Sequence, residues 1–532
     1  MTAESPTVIA TPSFAAGSFV GSFPSYFDAM PSPLVRAQGI PAFPSSASSS
    51  PLTSAYSPSL SSSSPPLVAL PVAAIVGDEP APLSFQQAAV VRAGRRLPHL
   101  VVAASIRLHD GAFFELSRLQ ASASLLLARH PMLRAAFDLA SDALDAATYF
   151  VHPPHSEWVA AAHSCLVEEC DRRDELARLA FRGDLHPPSA APLFRVVYCR
   201  DTRDDAAWTV AIVASRLVAD ELSGLILLRH LLEGYMLTEI QHARLIARVH
   251  ASSRDVDLEY PRYATHLAGY LDSDRGKALF SNWYEALGAG AHLLPPLELT
   301  REQTHNAQPL PPPATFLIPR ATVRALDRAS RSLGVDLKAL ALAAYALVLS
   351  RYAGCQEELV VSTVFSGRAR RSRAAFTVGA FANSVPVLLT VPDGDATLTT
   401  FVAAVRDALV FASEHQEYPA DLLRDKLAAL GIVQRGETET NAAFAFVRAH
   451  GRATAPPLVL TGVCGPESEW ESGPGVTVTG SDLAAPFPLS LHAALVGLVL
   501  AEAPDGSLGG AVHCAEASLA SDTVARLAPP FV

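Results

Sequence analysis

The sequence predicts an α/β protein preceded by a disordered N-terminal segment, and three observations carry that reading. Strand-length apolar runs alternate with stretches whose leucines recur at helical spacing from about residue 80 onward. Hydrophobic residues make up 49% of 532, ample material for a large core, and only 17% are charged. Composition changes abruptly near residue 75, where Ser/Pro-rich sequence gives way to these mixed patterns. No repeat of fixed period is evident.

Residues 1–75 are dominated by Ser-Ser-Ala-Ser-Ser-Ser-Pro (45–51) and Ser-Leu-Ser-Ser-Ser-Ser-Pro-Pro (59–66), with Arg36 the only basic side chain. Such composition buries too little apolar surface to offset backbone entropy, so disorder is expected. The stretch lacks the basic patch and compact apolar core of a secretory signal and the Arg richness of a mitochondrial presequence. Ser richness with few acids does suit a plastid transit peptide.

Beyond this segment, Leu116, Leu119, Leu125 and Leu126 predict a helix over 115–129, ending in Arg-His-Pro. Trp208–Ala214 reads as an apolar strand, followed by a Leu-rich helix over 220–235 with Asp220 placed as its N-cap. Residues 321–351 carry two helical patterns broken at Gly334. Strands are expected at 358–363 and 385–391, and a helix at 398–415. Gly, Pro and Thr between 431 and 481 imply a long loop or paired short strands.

The formal net charge of −11 gives no global reason to bind nucleic acid or an anionic membrane. The longest apolar run, Ala339–Leu349, is 11 residues, against the roughly 20 that a spanning helix needs, so it is expected to be a buried core helix. Six cysteines without C-x-x-C pairing or zinc-finger spacing suit reduced thiols in a cytoplasmic protein, with no metal site expected. His152 and His155 lack further ligands nearby. Basic residues are nearly all arginine; lysine occurs only at 277, 338 and 426.

Short motifs then follow one another in a distinctive order. Pro82-Leu83-Ser84-Phe85-Gln86-Gln87 is followed by Arg129-His130-Pro131-Met132-Leu133-Arg134-Ala135-Ala136-Phe137 and Pro192-Leu193-Phe194-Arg195-Val196. Next come Ser215-Arg216-Leu217-Val218-Ala219-Asp220-Glu221, Tyr260-Pro261-Arg262-Tyr263-Ala264 and Trp283. The second half carries Ser366-Gly367-Arg368, Val378-Gly379-Ala380-Phe381-Ala382-Asn383-Ser384 and His415-Gln416-Glu417-Tyr418-Pro419. In order and spacing this series resembles the condensation domains of nonribosomal peptide synthetases. The resemblance implies two chloramphenicol-acetyltransferase-like lobes in a V, assigned to 76–255 and 256–532 with the boundary near 250–260. It further implies a tunnel between the lobes, where carrier proteins deliver phosphopantetheine-tethered groups and an amide forms.

The segment 215–221 occupies the place of the family's His-His-x-x-x-Asp-Gly signature, with both histidines and the glycine replaced. Amide formation needs a base for the amine proton or a group that stabilises the oxyanion. The resemblance gives this work to the second histidine, and Arg216 stands there. An arginine side chain stays protonated near neutrality, so it is no neutral base, though it can donate hydrogen bonds to an oxyanion or carboxylate. Ser215 has no base beside it in the sequence. Asp220 is expected to be structural, pairing with an arginine for which Arg195 is the candidate. Glu221 in place of glycine adds a carboxylate and is expected to restrict the turn. Arg216 beside an acidic pair is also similar to condensation-like domains with His-Arg-x-x-x-Asp motifs that recruit cytochrome P450 enzymes.

By the same resemblance, Gly379, Asn383 and Ser384 are candidate substrate-binding residues, and Arg134, Arg195 and Arg368 structural ones. Arg368, Arg370, Arg371 and Arg373 form a basic loop suited to a phosphate or an acidic carrier, or to plain solvation. Two functions are expected to compete, beside a third class, a scaffold with no small-molecule site at all. One is a monomeric, stand-alone condensation-like protein that has lost His-dependent amide formation and binds a carrier-tethered intermediate or a tailoring enzyme. The other is an active acyltransferase that uses positioning and Arg216. Neither needs a resident cofactor, because a phosphopantetheine arm would arrive with the carrier.

Overall fold

The computed structural model describes residues 80–514 apart from 95–98, 109–112, 140–146, 155, 173–174, 177, 180–181, 187–190, 202–206, 253–258, 289–313, 353–357, 369–376, 393–396, 433–441, 448–475, 481–495 and 503–505. The Ser/Pro segment, most of 431–481 and Arg370, Arg371 and Arg373 therefore lie outside the described residues.

The first half opens with β1 (Ala81–Pro82) and α1 (Phe85–Ala93), then β2 (Leu100–Leu108) and α2 (Leu116–Arg129). Next follow β3 (Ala135–Asp138), β4 (Thr148–Val151), α3 (Glu157–Ala162), β5 (Val167–Glu169), β6 (Phe194–Arg200) and β7 (Ala207–Ala214). Four helices then run in succession: α4 (Glu221–Tyr235), α5 (Glu239–Ser252), α6 (Glu259–Asp272) and α7 (Asp274–Gly288). The second half contains β8 (Ala314–Ile318), α8 (Arg320–Ser332), α9 (Leu337–Tyr352), β9 (Glu358–Phe365), β10 (Asn383–Thr390), α10 (Leu398–Glu414) and α11 (Ala420–Ala429). It closes with β11 (Ala442–Val447), β12 (Val476–Gly480), β13 (Val496–Glu502) and β14 (Leu508–Cys514).

Helices and sheets are layered as expected for an α/β protein. A five-stranded sheet has the order β12-β2-β7-β6-β5, a six-stranded sheet the order β10-β9-β11-β13-β14-β8, and β1, β4 and β3 form a third. Pro386 lies in β10, the edge strand of its sheet, one of the few places where a sheet tolerates proline. β12 comes from the second half of the sequence yet pairs with β2 of the first, Val476 opposite Leu108. The halves are thus interlocked through a shared sheet, which a division of the sequence near 250–260 leaves out.

Alternation along the strands decides the core. Leu100, Val102, Ala104 and Ile106 of β2 share a face with Val210, Ile212 and Ala214 of β7 and pack against Leu227 and Leu231 of α4. Val213, Ala211 and Val197 point to the opposite face and join Leu176 and Leu185 in a smaller cluster. The main cluster continues into the second half through Tyr260, Phe381, Leu342 and Phe444. Helix α9, which contains the 11-residue apolar run, buries Ala339, Leu342, Tyr345 and Leu349, as its composition predicts. Among the described residues no single helix is long and apolar enough to cross a membrane; α8 and α9 meet that measure only as a pair bent by 99°.

Candidate functional site

β7 is the middle strand of its sheet, and it delivers residues 215–220 into a wholly buried turn ahead of α4. The turn is held by its own backbone. Ser215 donates its N–H to the Leu193 carbonyl at 2.8 Å, and its carbonyl accepts from Val218 at 3.1 Å and Ala219 at 3.2 Å. Its hydroxyl oxygen accepts only a long contact from the Leu217 N–H, 3.4 Å.

Arg216 points into protein. Its Nη1 donates to Oε1 of Glu221 at 2.6 Å, and the two side chains are 5% and 15% exposed. The residues that replace the signature's second histidine and its glycine thus hold one another. The expected restriction at Glu221 is corrected here: residue 221 is the first residue of α4, where helical geometry requires no left-handed backbone. A carboxylate in a first helical turn also faces the positive end of the helix dipole.

Asp220 is the hub of the seam between the halves. Oδ1 accepts the Ser223 N–H at 2.8 Å and caps α4. Oδ2 accepts from Arg368 Nη1 at 2.5 Å and from the backbone N–H groups of Phe381 and Ala382, each at 3.1 Å. The partner of Asp220 is therefore Arg368, and the assignment to Arg195 is corrected. Arg195 instead donates to the carbonyls of Pro192 and Phe194 at 2.8 Å and lies 3.7 Å from Asp184. Arg195 sits on β6 beside β7, whereas the salt-bridge partner arrives from the other half after β9. Arg368 also donates to Ser223 Oγ and the Thr377 carbonyl and lies over the Phe381 ring, 4.2 Å from its centre. Gly367 makes this approach possible: its φ is +66°, and a Cβ there would stand 2.1 Å from the Phe381 carbonyl oxygen. Arg134 is structural as well, donating to the carbonyls of His152, Leu127 and Ala128 and so tying off the end of α2.

The three substrate-binding candidates are occupied within the protein. Asn383 donates to the carbonyls of Gln416 and Tyr418 at 2.8 and 2.7 Å and accepts from Ala420 at 3.1 Å. Ser384 pairs its hydroxyl with that of Ser362 at 2.7 Å. The Gly379 carbonyl accepts from the Asp220 N–H and from the Ser223 hydroxyl, the Gly379 N–H donates to Ser223 Oγ, and a Cβ there would fall 2.2 Å from the Tyr260 ring. Beside this seam lies a cavity of about 130 Å³ lined by Arg129, His130, Tyr260, Pro261, Thr377 and Val378. His130 shares a hydrogen bond with His230 at 3.0 Å; burial pushes His130 well below its ordinary pKa and His230 to about 3, so both rings are neutral near pH 7.

Sequence reasoning missed His99 and Ser223. His99 immediately precedes β2, whose first residue pairs with Ala214, the residue before Ser215. Its Nε2 donates to the Arg182 carbonyl at 2.9 Å, which leaves Nδ1 with the lone pair. Burial lowers its pKa to about 4, partly offset by that hydrogen bond, while the positive potential of Arg216 and the nearby His186 ring push the same way as burial. Only strand pairing brings residue 99 near 216, so no local signal marked it. Ser223 had one, since it follows an N-cap aspartate by three residues, the position whose N–H a cap binds.

The geometry meets its family at this point. A family model described as Condensation domain matches residues 98–435, including β7, the 215–221 turn and the Arg368–Asp220 seam. The chain belongs to the condensation-domain family. Among its relatives is a plipastatin synthase of Bacillus subtilis (strain 168), 26% identical over 314 residues, which is 58% of this chain and 11% of that protein. This condensation domain thus spans about a tenth of that curated relative's length. Among solved structures, the first condensation domain of the calcium-dependent antibiotic synthetase aligns with a TM-score of 0.61 at 15% identity, over 84% of this chain and 93% of its own. The X-domain in the complex of X-domain and OxyB from teicoplanin biosynthesis aligns with a TM-score of 0.57 at 19% identity, over 86% and 93%. These likenesses establish the fold, and family membership relates the chain to nonribosomal peptide synthesis.

Proposed function

We propose that this chain is a condensation domain that has lost His-dependent amide formation and instead binds a carrier-tethered intermediate or a partner enzyme, acting as a cytoplasmic monomer. The observation that carries the reading is the ion pair between the buried Arg216 and the partly buried Glu221. A residue that must take a proton, or donate to a developing oxyanion, has to face the substrate. Here the guanidinium faces a carboxylate 2.6 Å away, in surroundings where separating the two is costly. Loss of general base catalysis alone lowers a rate by about 10²–10⁴.

The parts of the site that build the seam remain in place: Asp220, Arg368, Ser223 and the 379–382 backbone are fully engaged. A scaffold kept in order around an altered catalytic turn suits recognition better than turnover. The fold neighbour from teicoplanin biosynthesis, seen in complex with OxyB, gives the partner-enzyme form of this reading a precedent of the same fold. The reading calls for no resident cofactor, since the phosphopantetheine arm would come with the carrier.

The test uses the full chain with carrier proteins bearing acyl and aminoacyl thioesters. Saturable binding of a loaded carrier without amide above the protein-free rate is the expected result. Turnover by the wild type that disappears in Arg216→Ala would overturn the reading in favour of an acyltransferase that uses Arg216. The variant S215H/R216H/E221G, which restores the signature, is expected to gain amide formation.

A further inference from the structure

The cavity of about 130 Å³ beside the seam lies between the end of α2, the start of α6 and residues 377–378. None of residues 215–221 lines it. Its walls divide by chemistry. Arg129, His130 and Thr377 bring polar atoms, and Pro131, Met132 and Val378 bring apolar ones.

The polar wall is electropositive. Among the described residues the Arg129 guanidinium has no hydrogen-bond or ion-pair partner. Glu233 attracts it from a distance, but that carboxylate binds Arg229 through Oε1 at 2.8 Å and leaves Oε2 unbonded. The charged side chains that act on the His130 and His230 rings are all arginines: Arg129, Arg134 and Arg229. Arg134 also quenches the negative end of α2 by binding the Leu127 and Ala128 carbonyls. Tyr260 and Pro261 bring the positive end of α6 to the same cavity. His130 adds a donor. When His230 Nδ1 donates to its Nε2, the proton of the neutral His130 ring sits on Nδ1, which has no partner among the described residues.

One guanidinium facing a small void with apolar sides suits a single negative charge on a short hydrocarbon. The volume equals that of roughly four waters in the liquid, enough for a molecule of about four to six heavy atoms.

We propose that this cavity binds a short-chain monocarboxylate such as propionate, its carboxylate on Arg129 and the His130 Nδ1–H, its alkyl end against Pro131, Met132 and Val378. An arginine–carboxylate contact is charge-assisted and can be bidentate, and apolar walls exclude the water that would weaken it. The bound molecule bridges α2 and α6 of the first half to residues 377–378 of the second, so it is expected to raise the melting temperature. The site is independent of whether residues 215–221 condense anything or the chain binds a carrier.

The experiment labels the methionine methyl groups of the intact chain with carbon-13 and follows them by NMR while sodium propionate replaces sodium chloride at constant ionic strength. Of the two methionines among the described residues, Met132 lines the cavity and Met236 follows α4, and Met132→Leu identifies the signal. The Met132 signal is expected to shift saturably, with a Kd on the order of 1 mM for a ligand of so few atoms. Neutral propionamide is expected to bind at least about tenfold more weakly, and so is propionate to Arg129→Gln, since each case removes one charge of the pair. Should Arg129→Gln fail to fold, the contrast between propionate and propionamide in the wild type decides alone. A Met132 signal unmoved by propionate, moved equally by propionamide, or as responsive in Arg129→Gln overturns the proposal. Sulfate binding more tightly than propionate overturns it in favour of an inorganic oxyanion. Loss of carrier binding leaves this titration unchanged, and the reverse holds, so the two readings are separable.

Discussion

Arg216 and Glu221 occupy positions five apart, and their meeting depends on the turn between them. The buried turn at 216–218 and the cap at Asp220 bring the guanidinium back over the start of α4. Replacing both members of a buried ion pair by apolar groups is often tolerated, whereas removing one charge leaves the other stranded in a medium of low polarity. Glu221→Gln, which keeps the shape and removes the charge, is therefore expected to lower unfolding free energy on the order of 3 kcal/mol, read as a shift in the urea midpoint at unchanged slope. A midpoint within error of wild type would mean that the pair is solvated and that Arg216 is available to substrate. Of this site, residue identities were legible in the sequence and partners were not. Asp220 was assigned to Arg195, a near neighbour in sequence, and is held by Arg368, 148 positions away.

The elements that local pattern predicted are present with small, explicable departures, while others, α5 to α7 among them, were not predicted. β9 runs on to Phe365 and β10 starts at Asn383, because Val364 and Phe365 pair with Ser384 and Asn383. Polar residues at a strand start carry no apolar signal, so cross-strand hydrogen bonds rather than alternation set those ends. Helix α4 begins one residue after Asp220, as a capping aspartate predicts. Gly379 belongs to this scale as well: α6 reaches the 377–382 segment only because no Cβ stands between Gly379 and the Tyr260 ring. Gly379→Ala is expected to destabilise by about 1–3 kcal/mol through overpacking, and Gly379→Ala with Tyr260→Leu to recover part of that loss. Recovery measured by thermal unfolding supports the steric cause; equal loss in the double variant would place the strain in the backbone instead. The double variant also loses the hydrogen bond between Ser84 Oγ and the Tyr260 hydroxyl, so recovery is expected to be incomplete.

Across the whole molecule, neutral histidines are buried in both the sheet and helix layers of the first half. His99 is lowered to about 4 and His230 to about 3, each mainly by burial. In the unfolded chain both would titrate near 6.5, so between about 6.5 and 4 the unfolded state binds more protons than the folded one. Stability is then retained above about pH 6.5 and lost as pH falls toward 4, by up to about 1.4 kcal/mol per pH unit for each histidine. Melting temperature measured from pH 8 to 5 should be level at first and then decline. His99→Gln is expected to flatten that decline, and an unchanged slope in this variant would remove His99 from the account.

Fold class, the helices and strands with strong apolar periodicity, and the family resemblance were legible in the residues alone. Each rests on short-range periodicity or on motif order along one dimension, and none needs a partner to be known. The tertiary structure decided which groups meet: Arg368 at Asp220, Glu221 at Arg216, His99 beside the turn, and β12 across the sheet of the other half. Such contacts arise when packing brings distant segments together and burial makes charges choose partners within reach, and sequence distance carries almost no information about that choice.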